Sequence, residues 1–351
     1  MSRELRVASI GLGRVSGGHL QGWDVCEHGR IVALCDIDAD KIAAAQEKHG
    51  LQDARAVSNY TDLLTMDDVD AVDICLPDYL HRQVVLDAAE AGKHVLCEKP
   101  LAMTAAQAEE MLGAVEAAGV VHQIRFQRRN SRLVSYVEHL IRQGALGELR
   151  HFRCRFAVHR ISDPAVKLEW RLQADQGCYG VLGDLGAHAL DLAFYVMGPA
   201  AGEIARACAM PATFIPMREY EDGKGTGEVT GYDAIGFAVM YERNVLGSFE
   251  MSRFSPGTDV WQVDGQKACI QIAGSGADSF MWFEREPRDD QVPASRFVER
   301  RVPDEFPKPS SEFDAFAVAA LQHEPASPDF NDGLRVARAL DMVAQAAEKA
   351  R

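Results

Sequence analysis

The chain has 351 residues, 47% of them hydrophobic, which is enough for a sizeable core and more than one core usually supports. Its formal net charge of −15 argues against a nucleic-acid or anionic-membrane surface, since phosphate binding needs concentrated lysine and arginine. No stretch approaches the roughly 18 uninterrupted apolar residues of a membrane span, and the N-terminus runs directly into a strand pattern. We therefore expect two domains in a cytoplasmic protein that binds neither nucleic acid nor membrane.

From residue 5 to about 125, short β-branched runs alternate with alanine-rich stretches of helical periodicity. This alternation is typical of βαβ units and of a parallel sheet covered on both faces. Strands are predicted at residues 5–10, 30–35, 71–76, 94–97 and 120–124, and helices at 39–49, 79–91 and 105–118. The sequence therefore predicts a doubly wound α/β domain over residues 1–125.

The cysteines within this region indicate the compartment. Cys35, Cys75 and Cys97 fall inside apolar runs, where a free thiol behaves as a small hydrophobe in a reducing environment. The eight cysteines of the chain are scattered singly, without a Cys-x-x-Cys pair or a Cys/His cluster. The sequence therefore predicts no metal site.

After residue 125 a helix is predicted at 133–143, followed by strands at 149–159, 234–241, 245–253 and 268–272. These strands succeed one another with turn residues and without intervening helices, which predicts a large, mostly antiparallel sheet. We assign residues 126–351 to a C-terminal α+β domain, with a final helix at 332–349 that packs back on the first domain. An uncovered apolar sheet face favours a homodimer or homotetramer through this domain.

A glycine-bearing turn follows the first strand. A dinucleotide site needs a first glycine for the tight turn, a second for backbone approach to the pyrophosphate, and a third small residue, here Ser16, for helix packing. An acidic residue, Asp36, closes the second strand. These features predict a Rossmann dinucleotide site whose binding residues are Gly11, Leu12, Gly13, Arg14, Val15, Ser16 and Asp36.

Asp36 sets the expected choice of cofactor. Its carboxylate would accept from the adenosine ribose hydroxyls and repel a 2′-phosphate, and neither Arg nor Lys occurs among residues 37–40. This favours NAD over NADP. The alternative role for Asp36 is a helix N-cap, and the two roles are compatible.

Polar residues follow the next predicted strands at the carboxyl edge of the sheet, where ligands bind in open α/β folds. Leu76, Pro77 and His81 follow one strand, and Glu98 and Lys99 follow the next. We expect all five to contact the cofactor. The alternative for Lys99 is a salt bridge with neighbouring Glu98. His81, like His19, has no partner at metal-ligand spacing, so we expect both histidines to cap or pack around the cofactor.

In the second domain, Asp184 and His188 are four residues apart and would share one helix face with Asp191. Such a pair is usually a solvated surface pair. Here the neighbourhood is rich in leucine and glycine, which favours a shielded site with close backbone approach.

Three separated segments resemble the Gfo/Idh/MocA family of NAD(P)-dependent oxidoreductases: Ala-Gly-Lys-His-Val-Leu-Cys-Glu-Lys-Pro-Leu-Ala at 91–102, Pro77 with His81, and Gly-Asp-Leu-Gly-Ala-His-Ala-Leu-Asp at 183–191. The resemblance extends over nearly the whole chain. It implies a dehydrogenase acting on a hydroxyl-bearing carbon of a sugar, inositol or related polyol. It also implies a cis bond before Pro100.

Carbinol oxidation requires a base for the hydroxyl proton and cationic help for the developing alkoxide. His188 is the expected base, Lys99 the cation, and Asp184 the group that holds the hydroxyl or orients the imidazole. The resemblance points to substrate contacts at Gln127, Arg128 or Arg129, Trp170 and Arg171, and Tyr179 is a further candidate because it adds a hydroxyl at the substrate end. Arg171 could instead be a surface cation stacked on Trp170. Cys178 and Tyr179 stand where relatives generally carry consecutive glycines.

Two rival functions fit the same resemblance. Some relatives are non-catalytic sensors that keep the fold and the dinucleotide, but the complete set of Lys99, Asp184 and His188 argues against that role. A glycosidase that uses tightly held NAD for transient oxidation is the second rival. It would produce no net NADH during turnover.

Overall fold

The computed structural model describes residues 4–274, 278–284 and 297–350. The chain divides into two compact units: unit 1 comprises Met1–Phe126 and Ser310–Ala337, and unit 2 comprises Gln127–Pro309 and Arg338–Arg351. The predicted second domain ran unbroken from residue 126 to 351, whereas Ser310–Ala337 groups with unit 1.

Unit 1 is built on a parallel sheet in the strand order β3-β2-β1-β4-β5-β6. This is the order of a dinucleotide-binding doubly wound fold, so the predicted fold class is confirmed. Its strands are β1 (Leu5–Ile10), β2 (Gly29–Cys35), β3 (Arg55–Val57), β4 (Ala71–Ile74), β5 (His94–Cys97) and β6 (His122–Ile124). The intervening helices are α1 (Ser16–Asp24), α2 (Ala39–His49), α3 (Tyr60–Leu64), α4 (His81–Glu90) and α5 (Ala105–Ala118).

Local sequence explains where these helices begin and end. Asp38 caps α2 by accepting from the backbone N–H of Asp40, and Thr104 caps α5 by accepting from Gln107. Both helices stop at a glycine in the left-handed conformation, Gly50 and Gly119. The polar caps and glycines thus set where these helices begin and end. Because the strands are parallel, their carboxyl ends lie at the same edge of the sheet.

Unit 2 contains α6 (Arg132–Arg142), β7 (Leu149–Ala157), α7 (Ala187–Met197), β8 (Ile204–Ala212), β9 (Met217–Glu219), β10 (Thr226–Glu228), β11 (Ala234–Tyr241), β12 (Leu246–Ser252), β13 (Thr258–Gly265), β14 (Ala268–Ala273), β15 (Ser279–Glu284) and β16 (Val298–Arg301). Its large sheet runs β16-β15-β14-β13-β7-β12-β11-β8, and β9 pairs with β10 separately. Neighbouring strands are antiparallel except β7 and β12, which are parallel. The predicted large, mostly antiparallel sheet is therefore confirmed, with one parallel pair at its centre.

The two faces of this sheet differ in chemistry. On β7, Phe152, Cys154 and Phe156 are buried, whereas Arg153 and Arg155 alternate with them on the opposite, exposed face. Arg153 contacts Asp264, and Arg155 Nε lies 3.0 Å from Glu250 Oε1. The prediction of an uncovered apolar face is wrong: the exposed face carries cross-strand ion pairs.

The chain returns to unit 1 through α8 (Glu312–Gln322), and α9 (Phe330–Lys349) follows, belonging to unit 1 as far as Ala337 and to unit 2 from Arg338. Phe313 and Phe316 of α8 meet Trp23 of α1 edge to face, with ring centroids 5.1 and 6.4 Å apart. Helix α8 therefore completes the core beside β1 and β2. Among the described residues, no helix combines the length and apolarity needed to cross a bilayer.

Candidate active site

The turn after β1 has the geometry that a dinucleotide requires. Gly11 has φ +89°, and a Cβ there would lie 2.9 Å from the carbonyl oxygen of Cys75, so only glycine fits. A Cβ on Gly13 would meet nothing within 4 Å, which leaves open space for a ligand to approach the backbone. Ser16 Oγ donates to Gly13 O at 2.7 Å, so the residue in the third glycine position is buried and holds the turn.

The amino end of α1 suits an anion. Val15 provides no side-chain cap, and the first turn of α1 contains no acidic residue. Backbone N–H groups at a helix N-terminus attract phosphate. The turn and the helix together fit a dinucleotide pyrophosphate, with Arg14 exposed and Leu12 buried beside them.

Asp36 joins this turn to the end of β2. Its Oδ2 accepts from Leu12 N at 2.7 Å, and its Oδ1 accepts from Asp38 N at 2.9 Å. The helix cap proposed as its alternative role belongs to Asp38. Each carboxylate oxygen keeps a further lone pair for a ribose hydroxyl. Lys41, just beyond residues 37–40, has its Nζ 3.9 Å from Asp36 Oδ1.

The ends of β4 and β5 are held together by His81. Its Nδ1 lies 2.9 Å from Pro100 O, and its Nε2 lies 2.9 Å from Leu76 O. Burial lowers the pKa of His81, against the opposing effect of these carbonyls. The ring is completely buried, so His81 shapes the cofactor edge through the backbone, whereas direct cofactor contact was predicted. Leu76 and Pro77 are half-buried at that edge.

Glu98 also contacts protein groups. Its Oε1 lies 2.8 Å from His19 Nε2 and 3.0 Å from Arg125 Nη1, and its Oε2 accepts from the backbone N–H of Lys99 at 3.0 Å. The side chain is almost fully buried, which differs from the predicted cofactor contact. The Lys99–Pro100 peptide is cis, as the resemblance implied.

His19, Asp73 and Cys75 bring metal-binding atom types together in the interior of unit 1. No local spacing of these three residues indicates the grouping. His19 Nδ1 lies 2.8 Å from Asp73 Oδ1, so a direct hydrogen bond accounts for the pair. Burial, followed by the charge of Asp73, raises the pKa of Cys75 to about 12, so its thiol stays protonated.

In unit 2, Asp184 and His188 lie at an irregular helix start. A wide π-type turn spans Leu182–Gly186 and passes directly into α7. Such turns occur frequently at functional sites. His188 is only 7% exposed, so the pair is not the solvated surface pair of the alternative interpretation. Gly183 permits the turn, because a Cβ there would lie 2.3 Å from the carbonyl oxygen of Cys178.

Arg253, at the end of β12, was missed in the sequence. It is 1% exposed, and its Nη2 lies 3.1 Å from Asp184 Oδ2. Its Nη1 donates to Arg171 O at 2.9 Å. A lone arginine after a strand carries no local signal, because its partners are far away in the chain. The guanidinium fixes the Asp184 carboxylate against the segment that contains Arg171.

Both candidate arginines after β6 are paired with carboxylates. Arg128 donates to Asp259 at 2.8 and 3.0 Å, and Arg129 donates to buried Asp191 at 2.5 and 3.0 Å. Asp191 thus forms an ion pair with Arg129. Gln127 is exposed at the start of the same turn. The two guanidinium groups brace unit 2, which differs from their predicted contact with substrate.

The remaining candidates lie before the π-type turn. Arg171 stacks on Trp170 with its Cζ 4.0 Å from the ring centroid, as the alternative interpretation described. Tyr179 Oη lies 3.4 Å from Asp341 Oδ1, and burial together with that carboxylate raises the pKa of Tyr179. Cys178 and Tyr179 have φ of 27° and 61°, a backbone that favours glycine. These non-glycine residues therefore keep a glycine-like loop.

The parallel sheet, the open glycine turn and the uncapped helix are the features of a dinucleotide-binding domain. A family profile described as an oxidoreductase family with an NAD-binding Rossmann fold matches residues 5–126, and the GFO/IDH/MocA C-terminal domain profile matches residues 134–271. The chain belongs to the Gfo/Idh/MocA family of oxidoreductases. The predicted family, NAD cofactor and oxidoreductase class are confirmed.

Several relatives are named sugar or inositol dehydrogenases. Levoglucosan dehydrogenase of Pseudarthrobacter phenanthrenivorans is 29% identical over 73% of this chain and 65% of its own length. The myo-inositol 2-dehydrogenase of Thermotoga maritima is 28% identical over 57% of both chains. The uncharacterized oxidoreductase YrbE of Bacillus subtilis is 26% identical over 99% of this chain and 95% of its own length. The match to the first thus spans slightly less than two thirds of that relative.

Solved structures extend the likeness to the whole chain. Levoglucosan dehydrogenase in complex with NADH and levoglucosan has a TM-score of 0.88 at 25% identity, covering 99% of this chain and 98% of that chain. An oxidoreductase domain protein from Kribbella flavida has a TM-score of 0.87 at 27% identity, with the same coverage. The chain is thus similar throughout its length to a dehydrogenase solved with NADH and to a second oxidoreductase domain protein.

Proposed function

We propose that the chain is a dehydrogenase that transfers hydride between NAD and a hydroxyl-bearing carbon of a sugar, inositol or related polyol. The observation that carries the proposal is that His188 is buried and that Asp184, four residues before it, is fixed by a buried guanidinium. Lys99 at the carboxyl end of β5 completes the set. The proposal requires Lys99 and His188 to act on one bound substrate.

The cofactor would be held by the groups around the first turn. Gly11 and Gly13 leave room for the pyrophosphate at the amino end of α1, and Asp36 would accept from the adenosine ribose hydroxyls. Leu76 and Pro77 would line the ring end, beside Lys99. When bound, NAD supplies the hydride acceptor. Asp36 supports NAD over NADP, because its carboxylate would repel a 2′-phosphate.

Three side chains would manage the proton. His188 Nε2 or Nδ1 takes the proton of the substrate hydroxyl, because imidazole exchanges protons near neutral pH. The Lys99 ammonium donates to the same oxygen and stabilises its developing negative charge. Asp184, held by Arg253, accepts from a substrate hydroxyl and so orients the reacting carbon.

The names of the relatives support a polyhydroxylated substrate, since levoglucosan and myo-inositol are both rings bearing several hydroxyl groups. In unit 2, Gln127 and the stacked pair of Trp170 and Arg171 are the side chains we propose to contact it. Arg128, Arg129 and Tyr179 would shape the site indirectly, because carboxylates in unit 2 already engage them.

We also propose a cytoplasmic homo-oligomer. The eight cysteines are all free thiols, which supports a reducing compartment. The exposed face of the large sheet, which carries cross-strand ion pairs such as Arg155 with Glu250, is the surface we propose for a dimer or tetramer. Light scattering of the purified chain tests the assembly, and a monomer would contradict it.

The test is a screen of the purified protein against sugars, inositols and sugar acids with NAD and with NADP, followed by absorbance of reduced nicotinamide. We expect net NADH from at least one polyol. Glycoside cleavage without net NADH would instead support the NAD-assisted glycosidase. The absence of both activities would overturn the proposal.

The His188→Ala variant tests the role of the imidazole. We expect kcat to fall about 10²- to 10⁴-fold while the Kd for NAD stays nearly unchanged, because the change removes only proton transfer. His159→Ala, which removes an exposed histidine of the same unit, is the control. Unaltered turnover in His188→Ala would defeat the assignment.

A further inference from the structure

A buried charge cluster lies beneath the carboxyl edge of the unit 1 sheet. We define it as His19 of α1, Asp73 of β4, Glu98 after β5 and Arg125 after β6. The first three are at most 5% exposed, and the Arg125 side chain is 13% exposed. The proposed chemistry uses none of these four side chains directly, so their burial needs another explanation.

The imidazole of His19 is held between two carboxylates. Its Nδ1 lies 2.8 Å from Asp73 Oδ1, and its Nε2 lies 2.8 Å from Glu98 Oε1. The indole N–H of Trp23 donates to the other Asp73 oxygen at 2.8 Å, so that carboxylate accepts on both sides. Ionised carboxylates only accept, so both ring nitrogens must donate. This geometry selects the imidazolium.

The titration behaviour of the groups agrees with that geometry. Burial alone would lower the pKa of His19, but the charge and hydrogen bonds of Asp73 raise it well above its ordinary value. Burial would raise the pKa of Glu98, yet its hydrogen bond to His19 and the charges of His19 and Arg125 keep it well below the ordinary value. The His19 and Arg125 side chains therefore hold the Glu98 carboxylate between two cations, with Cys75 protonated nearby.

Glu312 of α8 also faces the cluster, and Lys99, His81 and Cys97 interact electrostatically with Glu98. Arg125 Nε lies 2.9 Å from Glu312 Oε1, while Arg125 Nη1 lies 3.0 Å from Glu98 Oε1. Arg125 is thus shared between two carboxylates. Without the imidazolium, three buried carboxylates would face a single guanidinium, and one of them would have to take up a proton.

One hydrogen bond connects the cluster to the backbone of Lys99, the proposed catalytic lysine. Glu98 Oε2 accepts from the Lys99 backbone N–H at 3.0 Å, and His81 holds the carbonyl of Pro100 on the other side of the Lys99–Pro100 peptide. The direction in which Lys99 leaves the sheet therefore depends on where the Glu98 carboxylate is held. His19 and Arg125 hold it.

We propose that His19 is a positioning residue: as an imidazolium between Asp73 and Glu98, it fixes the Glu98 carboxylate and, through it, the backbone that aims Lys99. The inference rests on the proposed function of Lys99. It also links α1, whose amino end would hold the pyrophosphate, to the lysine that acts on the substrate.

The protonation state is tested without any substrate. In ¹⁵N NMR of the histidine-labelled full chain, both ring nitrogens of His19 should carry protons at pH about 8, above the ordinary histidine pKa of about 6.5. The His19→Gln variant assigns the signal. Glu98→Gln should lower the pH at which the His19 imidazolium loses one of its two ring protons. Glu110→Gln, at an exposed glutamate of the same unit, should not. A neutral His19 ring at pH about 8 would overturn the proposal.

The positioning role is tested by a double-mutant cycle on kcat. We expect His19→Gln to lower kcat about 10- to 100-fold with the Kd for NAD changed less than about threefold, and to have little further effect in a Lys99→Met background. Equal effects in both backgrounds would mean a merely structural role and would overturn the inference. If Lys99→Met alone left kcat intact, the proposed function would fail, whereas the NMR result would still stand on its own.

Unfolding of His19→Gln would not end the test, since Glu98→Gln enters the same cycle. This variant keeps the size of the side chain while removing the charge that faces His19. Coupling of Glu98→Gln to Lys99→Met supports the route through the carboxylate, and independent effects contradict it. His28→Gln, a half-exposed histidine of unit 1, is the control that should leave kcat unchanged.

Discussion

At the scale of single residues, Arg253 links Asp184 to the segment that contains Arg171, two parts of unit 2 that the proposed chemistry uses. One arm of its guanidinium contacts Asp184, and the other donates to the carbonyl of Arg171. Its Nε is buried without a hydrogen-bond partner, so the group is held chiefly by those two contacts. A planar fork suits this double task, which a lysine could not perform.

Replacement of Arg253 should therefore reduce catalysis. We expect Arg253→Met to lower kcat/KM about 100-fold, because Asp184 loses its orientation, while NAD affinity stays unchanged. Arg253→Lys should recover only part of the loss. Steady-state kinetics with calorimetric NAD titration measure both, and Arg206→Met, at an exposed position of β8, is the control. A normal kcat/KM in Arg253→Met would reduce the Arg253–Asp184 pair to a structural contact.

The sequence could single out Lys99, Asp184 and His188 because each lies in a short segment with recognisable spacing. It could not identify Arg253 or the pairing of His19 with Glu98, because these partners meet only in the folded chain. The same holds for Asp36, whose bonds to Leu12 and Asp38 depend on how the first turn closes. Local motifs thus indicated the groups proposed to react, but not the side chains that position them.

At the scale of elements, the first turn separates two uses of glycine. Gly11 is required by its own backbone, since its φ is +89° and a Cβ would strike Cys75 O and Leu76. Gly13 has no such neighbour, so nothing within the protein demands glycine there. The fold requires the first glycine, and we propose that the second is there for the ligand.

Matched alanine variants distinguish these uses. We expect Gly11→Ala to destabilise unit 1 by about 1–3 kcal/mol through backbone strain and contact. Gly13→Ala should change stability by only about 0.5 kcal/mol yet weaken NAD binding about tenfold or more, because its methyl occupies the approach to the pyrophosphate. Thermal unfolding and NAD titration of both variants give the answer, and full NAD affinity in Gly13→Ala would contradict it.

The sequence pattern predicts neither strand β3 nor the parallel pairing of β7 with β12. Strand β3 carries an exposed, three-residue edge with no apolar run, so the sequence offered no signal for it. The sequence pattern of strands β7 and β12 predicts antiparallel strands. Their parallel pairing depends on the path of the chain between them. Helix α8 did carry a signal, since Ser311 caps it and Phe313, Phe316 and Ala317 recur at helical spacing.

At the scale of the whole molecule, unit 1 is discontinuous in sequence. Its core needs α8, in which Phe316 is completely buried, although this helix follows the whole large sheet of unit 2 in the chain. The prediction of two consecutive domains missed this return, because the composition of residues 310–331 does not reveal which core they join.

Phe316→Ala tests that dependence. We expect a loss of about 3–5 kcal/mol in the free energy of unfolding of unit 1, the usual effect of removing a buried aromatic ring. Scanning calorimetry with and without NAD identifies the transition of the nucleotide-binding unit. Phe214→Ala, at a side chain of unit 2 that is 55% exposed, should change stability by only about 0.5 kcal/mol. Equal losses in both variants would contradict the role of α8.

The late position of α8 also bears on how the protein is made. A ribosome that adds roughly 5–20 residues per second has finished β6 on the order of ten seconds or more before Phe313 and Phe316 emerge. Throughout that interval the nascent nucleotide-binding unit exposes Trp23 and its apolar surroundings to the cell. Chaperones that shelter unfinished chains therefore have a long window in which to bind this one.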